Sequence, residues 1–211
     1  MDDSSPATRI TDPPPPGPVR RPGGRSAQVR RRVLDAVTAL LVEQGYDGLT
    51  VDAVADRSGA HRTTVYRRWG DVGGLLADVL AEATGDDWRP PDTGSLDGDL
   101  TALNREVHEA LTGDPPLTGA LIAASFRSPP AAEALRAFWA DRYDRCAVVV
   151  HRAVARGEAP AGTDPRALLV AATAPVYHEL LLLRSDADAT LARRAARTAA
   201  LAAAAGAFVP A

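Results

Sequence analysis

The sequence predicts an all-α protein, with a small N-terminal three-helix unit and a larger C-terminal helical bundle, about nine helices in all. Three observations carry that prediction. Apolar side chains recur at spacings of three and four along most of the chain. Proline and glycine clusters interrupt those runs where helices would end. No run alternates apolar and polar residues with the β-branched enrichment of a strand.

Residues 1–24 hold Pro13, Pro14, Pro15, Pro16, Gly17 and Pro18 and few apolar side chains. Such a segment cannot offset its own ordering entropy and reads as a flexible Pro/Gly/Arg arm with extended character. Val29, Val33, Val37, Leu40 and Leu41 then predict a helix over 27–44, with Ser26 as N-cap and Gly45 as its left-handed end. Thr50 caps a short helix bearing Val51, Val54 and Ala55, and Gly59 closes it. A second short helix follows over 62–69. Asp71 caps the next, which runs through Leu75, Leu76, Val79 and Leu80 to about residue 84. A polar linker over 85–94 carries Pro90 and Pro91. The remaining periodic runs predict helices over 97–112, 116–126, 130–156, 164–183 and 188–207. Pro175 falls inside the fourth of these and predicts a kink. The divisions are therefore an arm at 1–24, a three-helix unit at 25–71, a connecting helix at 72–85 and a bundle at 86–211.

Composition narrows the function. The chain has 211 residues and 45% apolar content, a globular figure. Its one cysteine, Cys146, leaves no disulfide framework and no multi-thiolate metal site. On an apolar face it reads as buried and inert. Apolar runs such as Leu180 to Leu183 are too short to span a bilayer, and the acidic, proline-rich start is unlike a signal peptide. The expectation is a cytoplasmic protein with no membrane partner. No phosphate-binding loop, GxSxG or HExxH occurs, and none of His61, His108, His151 and His178 has a glutamate three residues before it. No enzyme activity, cofactor or metal is expected.

A net charge of −3 argues at first against a nucleic-acid partner. Division by segment reverses this. Residues 20–69 hold ten arginines against five acids, whereas residues 70–211 hold thirteen against nineteen. All 24 basic residues are arginine, which codon bias accounts for as well as function does.

The stretch from Thr50 to Trp69 fits a helix-turn-helix. Two helices that cross steeply need a short turn, and Gly59 supplies positive φ there. Ala55, four residues earlier, is small enough for the crossing, and Val54 and Val65 face the first helix. With Val65 inward, Thr63 and Arg67 turn to about 160° and 200°, away from the core. Tyr66 and Thr64 take the flanks, and Trp69 returns partly inward. Arginine can bond a guanine edge and threonine a base or a thymine methyl. Tyr66 is placed for a phosphate. Ala60, His61 and Arg62 stand at the end that enters a groove, and Thr50 opens a helix whose amides can hold a phosphate. The expected partner is a double-stranded DNA operator.

Glu43-Gln44-Gly45-Tyr46-Asp47-Gly48-Leu49-Thr50 and Thr63-Thr64-Val65-Tyr66-Arg67-Arg68-Trp69 resemble the DNA-binding region of the tetracycline-repressor family, with the likeness covering residues 27–85. The resemblance implies a homodimeric repressor released by a small molecule. It implies phosphate contacts from Tyr66 and Thr50, and base contacts near Thr63, Thr64 and Arg67. The family's usual lysine at the start of the fourth helix is Val72 here, and its Phe-Pro turn is Trp69-Gly70. Arg20, Arg21 and Arg25 of the arm can compensate from the minor groove.

In the C-terminal half, Leu191, Ala195, Thr198, Leu201, Ala202 and Ala205 form a stripe of small and apolar residues. With Leu168, Val176 and Leu180 it suits a four-helix interface between two copies, the alternative being an ordinary internal core. Phe138, Trp139 and Tyr143, with Tyr177 and His178 beyond the Pro175 kink, are candidates to line a ligand cavity, and Leu103, His108 and Phe126 are weaker ones. With ten aromatics in all, a mostly aliphatic pocket with one or two polar anchors is expected, holding a small hydrophobic or amphipathic effector. Two other readings stay open: an all-α enzyme or carrier with an accessory helix-turn-helix, and a dimeric DNA-binding protein without a ligand.

Overall fold

The computed structural model describes residues 24–83, 88–186, 188 and 190–210, and within these every regular element is helical. The predicted arm at residues 1–23, with Arg20 and Arg21, lies outside the described residues, as does the side chain of Arg25.

Helix α1 (Gly24–Gly48) presents Val33, Leu34, Val37, Leu40 and Leu41 inward, each at most 4% exposed. It starts two residues before Ser26, so Ser26 lies in the first turn and does not cap it. The predicted break at Gly45 is present (φ 69°, ψ −172°), but one further turn continues beyond it. Helices α2 (Val51–Ser58) and α3 (Arg62–Trp69) follow, then α4 (Val72–Ala83). Asp71 Oδ1 accepts the Gly74 N–H at 2.9 Å and so caps α4 as its sequence suggests. Val54, Val65, Leu75 and Leu76 are fully buried where these four helices meet. Each such side chain contributes roughly 1.5–3 kcal/mol on burial.

The bundle comprises α5 (Leu96–Thr112), α6 (Leu117–Ser125), α7 (Pro129–Ala155), α8 (Pro165–Tyr177) and α9 (Leu191–Ala204). Ser95, Ser128 and Asp164 cap α5, α7 and α8 with side-chain acceptors. The first core does not stop at α4. It runs on through Leu121, Ala124 and Ala131 of α6 and α7. A second core joins α5, α7, α8 and α9 through Leu100, Val149, Leu168 and Leu169.

Alanine explains how α9 packs. Ala192, Ala196, Ala199 and Ala203 are buried and let α9 lie close against its neighbours. Asn104 of α5 is fully buried there and donates from Nδ2 to the Ala172 and Ala192 carbonyls at 2.9 and 3.1 Å. One amide thus ties α5 to both α8 and α9. The kink expected at Pro175 takes the form of a wider turn. Proline offers no N–H, and three residues later the ladder passes into a π-turn, His178–Leu182.

Candidate nucleic-acid interface and ligand cavity

The α2–turn–α3 segment is built as its residue sizes demand. Thr50 Oγ1 accepts the Ala53 N–H at 3.1 Å, which satisfies an orphan donor of α2. Gly59 adopts φ 66°, ψ 21°, a left-handed conformation that a side chain would strain. Ala55 is 2% exposed and Val65 is fully buried, so both helices are anchored from beneath.

What remains outward is polar. Thr50, His61, Arg62, Thr63, Arg67 and Arg68 are exposed, and Tyr66 keeps 48% of its surface open. Ala60, Thr64 and Trp69 are half-buried. Arg62 ion-pairs with Asp52 of α2. Arg68 Nη1 donates to Ser26 Oγ at 3.3 Å, and Arg32 reaches to within 3.8 Å of where a side chain on Gly59 would stand. Arg31 and Arg32 are exposed on α1. The start of α1 therefore adds cations beside α3 that the motif alone does not reveal. Their signal was the run Arg30, Arg31 and Arg32.

Asp78 of α4 holds the unit together. Its carboxylate accepts from Arg30 Nε and Nη2 at 3.0 and 2.9 Å and from Trp69 Nε1 at 2.8 Å. Burial works to raise the Asp78 pKa, but the hydrogen bonds from Arg30 and Trp69 and the nearby Arg30 and Arg68 charges outweigh it and hold it below the usual range. The Trp69 indole is thus turned to the helix junction, not to the outer face of α3. On the far side, Glu43 and Arg57 pair at 2.5 and 2.6 Å and join α1 to α2.

A cavity of about 320 Å³ opens inside the bundle. Its wall comes from every helix between α4 and α8: Leu80, Leu103, Leu121, Trp139, Tyr143 and Tyr177 all face it. Trp139 sits at its aromatic centre, edge-on to Phe138 (5.1 Å between centroids) and Tyr177 (5.6 Å), and tilted against Tyr143 (5.9 Å). Burial pushes the Tyr177 phenol up well above its usual range, so it stays protonated. Burial likewise raises the Cys146 thiol to about 11, which keeps it unreactive at neutral pH. The wall holds Phe138 as well, and it adds Trp88 and Arg142, which sequence reasoning left out of the cavity. Arg142 stands in the otherwise apolar stripe of α7 and could have been found by that contrast.

Three of the expected lining residues lie elsewhere, and His108 of α5 is one of them. Phe126 follows the last turn of α6 and is 83% exposed, because the chain there turns outward toward Ser128. His178 begins the π-turn and faces the outer groove between α8 and α9, with Pro175, Arg194 and Thr198.

The expected dimer stripe also divides. Leu168 and Val176 are fully buried, and Leu191 and Ala195 are 5% and 7% exposed. These four fill the chain's own core because their side of α8 and α9 faces α5 and α7. Leu180 packs partly against the same cluster. Thr198, Leu201 and Ala205 point outward, Leu201 with 58% of its surface open, and Ala202 is half-buried. Val170 of α8 is also open, at 40% exposed.

Among the described residues no helix is long and apolar enough to cross a membrane, and no cluster of three potential metal ligands occurs.

Known proteins share this arrangement. Residues 33–79 match the family described as bacterial regulatory proteins, tetR family, and residues 90–199 match the tetracyclin repressor-like C-terminal domain. The HTH-type transcriptional regulator AqdR of Rhodococcus erythropolis is 32% identical over 189 residues, 88% of this chain and 89% of that protein. The DNA-binding transcriptional repressor TetR of Mycobacteroides abscessus is 32% identical over 168 residues, covering 76% of this chain and 86% of its own. Among solved structures, GusR of Salmonella enterica superposes with a TM-score of 0.64 at 19% identity, covering 88% of this chain and 96% of its own. FadR of Bacillus subtilis in complex with stearoyl-CoA does so at 0.62 and 14%, covering 83% and 98%. With both parts of the chain matched, and relatives alike over most of their length, the protein belongs to the tetracycline-repressor family of DNA-binding transcriptional regulators.

Proposed function

We propose that the protein is a cytoplasmic repressor that binds a pseudo-palindromic operator as a homodimer and releases it when a small hydrophobic or amphipathic molecule fills the cavity. One observation carries this reading: α4 serves both sites. Leu80 lines the cavity, and Asp78, two residues earlier, holds Arg30 of α1 and Trp69 of α3. A ligand that displaces Leu80 turns α4, and the Asp78 bonds carry that turn to the recognition helix. Coupling of this kind is typically worth about 1–3 kcal/mol. The fold neighbour bound to stearoyl-CoA supports a ligand in a bundle of this shape.

On DNA, α3 enters the major groove with Ala60, His61 and Arg62 leading. Arg67, Thr63 and Thr64 read bases, and Tyr66 and Thr50 hold phosphates. Trp69 supports α3 from within. The two copies meet through the outer sides of α8 and α9, where Val170 and Leu201 stand open. Two half-sites a helical turn apart require such a pairing. The protein works by binding alone, without chemistry of its own.

The test is DNA selection from a random pool, followed by binding of the selected site to Arg67→Ala. The variant is expected to lose about 1–3 kcal/mol per half-site and to relax its base preference. Unchanged affinity and preference would remove Arg67 from the reading face.

A further inference from the structure

We propose that the cavity takes an organic acid, an apolar body carrying one anionic group that docks on Arg142. The inference rests on the ligand-responsive reading above and specifies the ligand class of that site. Arg142 is the one basic residue of the cavity wall among the described residues. It lies one turn from Phe138 and one turn from Cys146 on α7. Its guanidinium carbon sits 3.7 Å from the centroid of the Trp88 ring and 5.4 Å from that of Phe138.

What sets this arginine apart is that no carboxylate pairs with it directly. Along the same helix Arg145 pairs with Asp141 at 3.6 Å, Arg152 with Asp92 at 2.8 Å, and Arg156 with Glu158. Arg142 has no carboxylate within 4.0 Å among the described residues, and the charges of Glu106 and Asp141 reach it only from farther off. Glu106, the one acid of the wall, has its Oε2 engaged by Trp88 Nε1 at 3.0 Å. Burial pulls the Arg142 pKa down, yet from so high a starting value that it stays charged near neutrality. A partly desolvated cation without a direct anionic partner is costly. A neutral ligand that filled the cavity would leave that cost in place. A cationic ligand would add repulsion. An acid supplies a direct partner and takes the guanidinium fork bidentately.

Tyr177 completes the anchor. It lines the same cavity as Arg142, and its phenol is kept protonated by burial. It can therefore donate to an anion without opposing it. The volume of about 320 Å³ lies at the small end for drug-sized ligands, which suits a two-ring or medium-chain acid.

The experiment is calorimetric titration of the full-length protein at neutral pH with 2-naphthoate and decanoate, each against its primary amide. Wild type is expected to prefer at least one acid over its amide by roughly 10- to 100-fold, as a charge-assisted hydrogen bond would give. In Arg142→Gln that preference should vanish while amide binding persists, and Arg142→Lys should restore part of it. Thermal denaturation checks the fold of both variants. Equal binding of acid and amide, or an acid preference that survives in Arg142→Gln, would overturn the proposal. Release of selected DNA is followed in parallel. If amides bind and release DNA as well as acids do, ligand control stands and only the acid class fails. If none of the four binds at millimolar concentration, the acid proposal fails, and ligand control is judged by the cavity-filling variant described below.

Discussion

The helix-turn-helix and the cavity place their working side chains in opposite ways. In α2 and α3 the side chains proposed to meet DNA point outward from a small core, and Val54 and Val65 are buried beneath exposed Thr63 and Arg67. In the bundle they point inward, where Trp139, Tyr143, Tyr177 and Arg142 share one cavity among core residues. An outward site separates polar from apolar on one helix, whereas an inward site uses the same apolar side chains that a plain core would. The proposed operator site therefore depends on a rigid platform, and the proposed ligand site on a gap left in the packing.

The largest effect expected is on assembly. Leu201→Glu puts a charge on the outer side of α9, where the native leucine is already 58% exposed, so the monomer fold should hold. Sedimentation should show dissociation, and operator affinity should fall by orders of magnitude as two half-sites cease to be held together. A dimer that survives this change moves the interface elsewhere.

The junction between the two regions comes next. Asp78→Asn removes the charge that Arg30 and Trp69 share and should cost about 1.5–3 kcal/mol of stability. The sign of its pH dependence follows from the depressed Asp78 pKa. That contribution is fully present above the ordinary carboxylate value of about 3.9 and is lost as pH falls through the lower folded value. The Tm gap between wild type and Asp78→Asn should therefore shrink as acid is added. A gap constant with pH would mean that the carboxylate's charge does not hold the junction.

Asn104→Ala deletes the amide tying α5 to α8 and α9 and should lower bundle stability by about 1–3 kcal/mol while leaving the α2–α3 face intact. Chemical denaturation followed at the cavity tryptophans reads it. The smallest effect is at Tyr66. Tyr66→Phe should weaken binding to all DNA sequences alike by about 1 kcal/mol, since a phosphate contact carries no base information.

Legibility followed the same division. Thr50, Ala55, Gly59 and Val65 each answer a local steric need, so their spacing alone located the reading helix. Every helix of the bundle was visible as periodicity between proline and glycine breaks, to within a few residues of the observed ends. Partners were not visible. Leu168, Val176, Leu191 and Ala195 repeat as a dimer stripe would, yet they are buried within one chain, because periodicity reports that a face is covered and not by what. Phe126 was expected inward for its size, but it stands just past the end of α6, where helical phase no longer applies. Arg142 escaped notice for the converse reason, since a charged residue on a helix is ordinarily solvated.

Coupling between the two regions through α4 is tested most directly by filling the cavity covalently. Leu103 lines it and is 6% exposed. Operator affinity should be measured for Leu103→Trp, whose fold is checked by thermal denaturation. If the cavity and the reading helix are joined through Leu80 and Asp78, the variant stays folded and binds its selected DNA about 5- to 150-fold more weakly with no ligand added. A folded variant that binds as tightly as wild type would contradict the coupling.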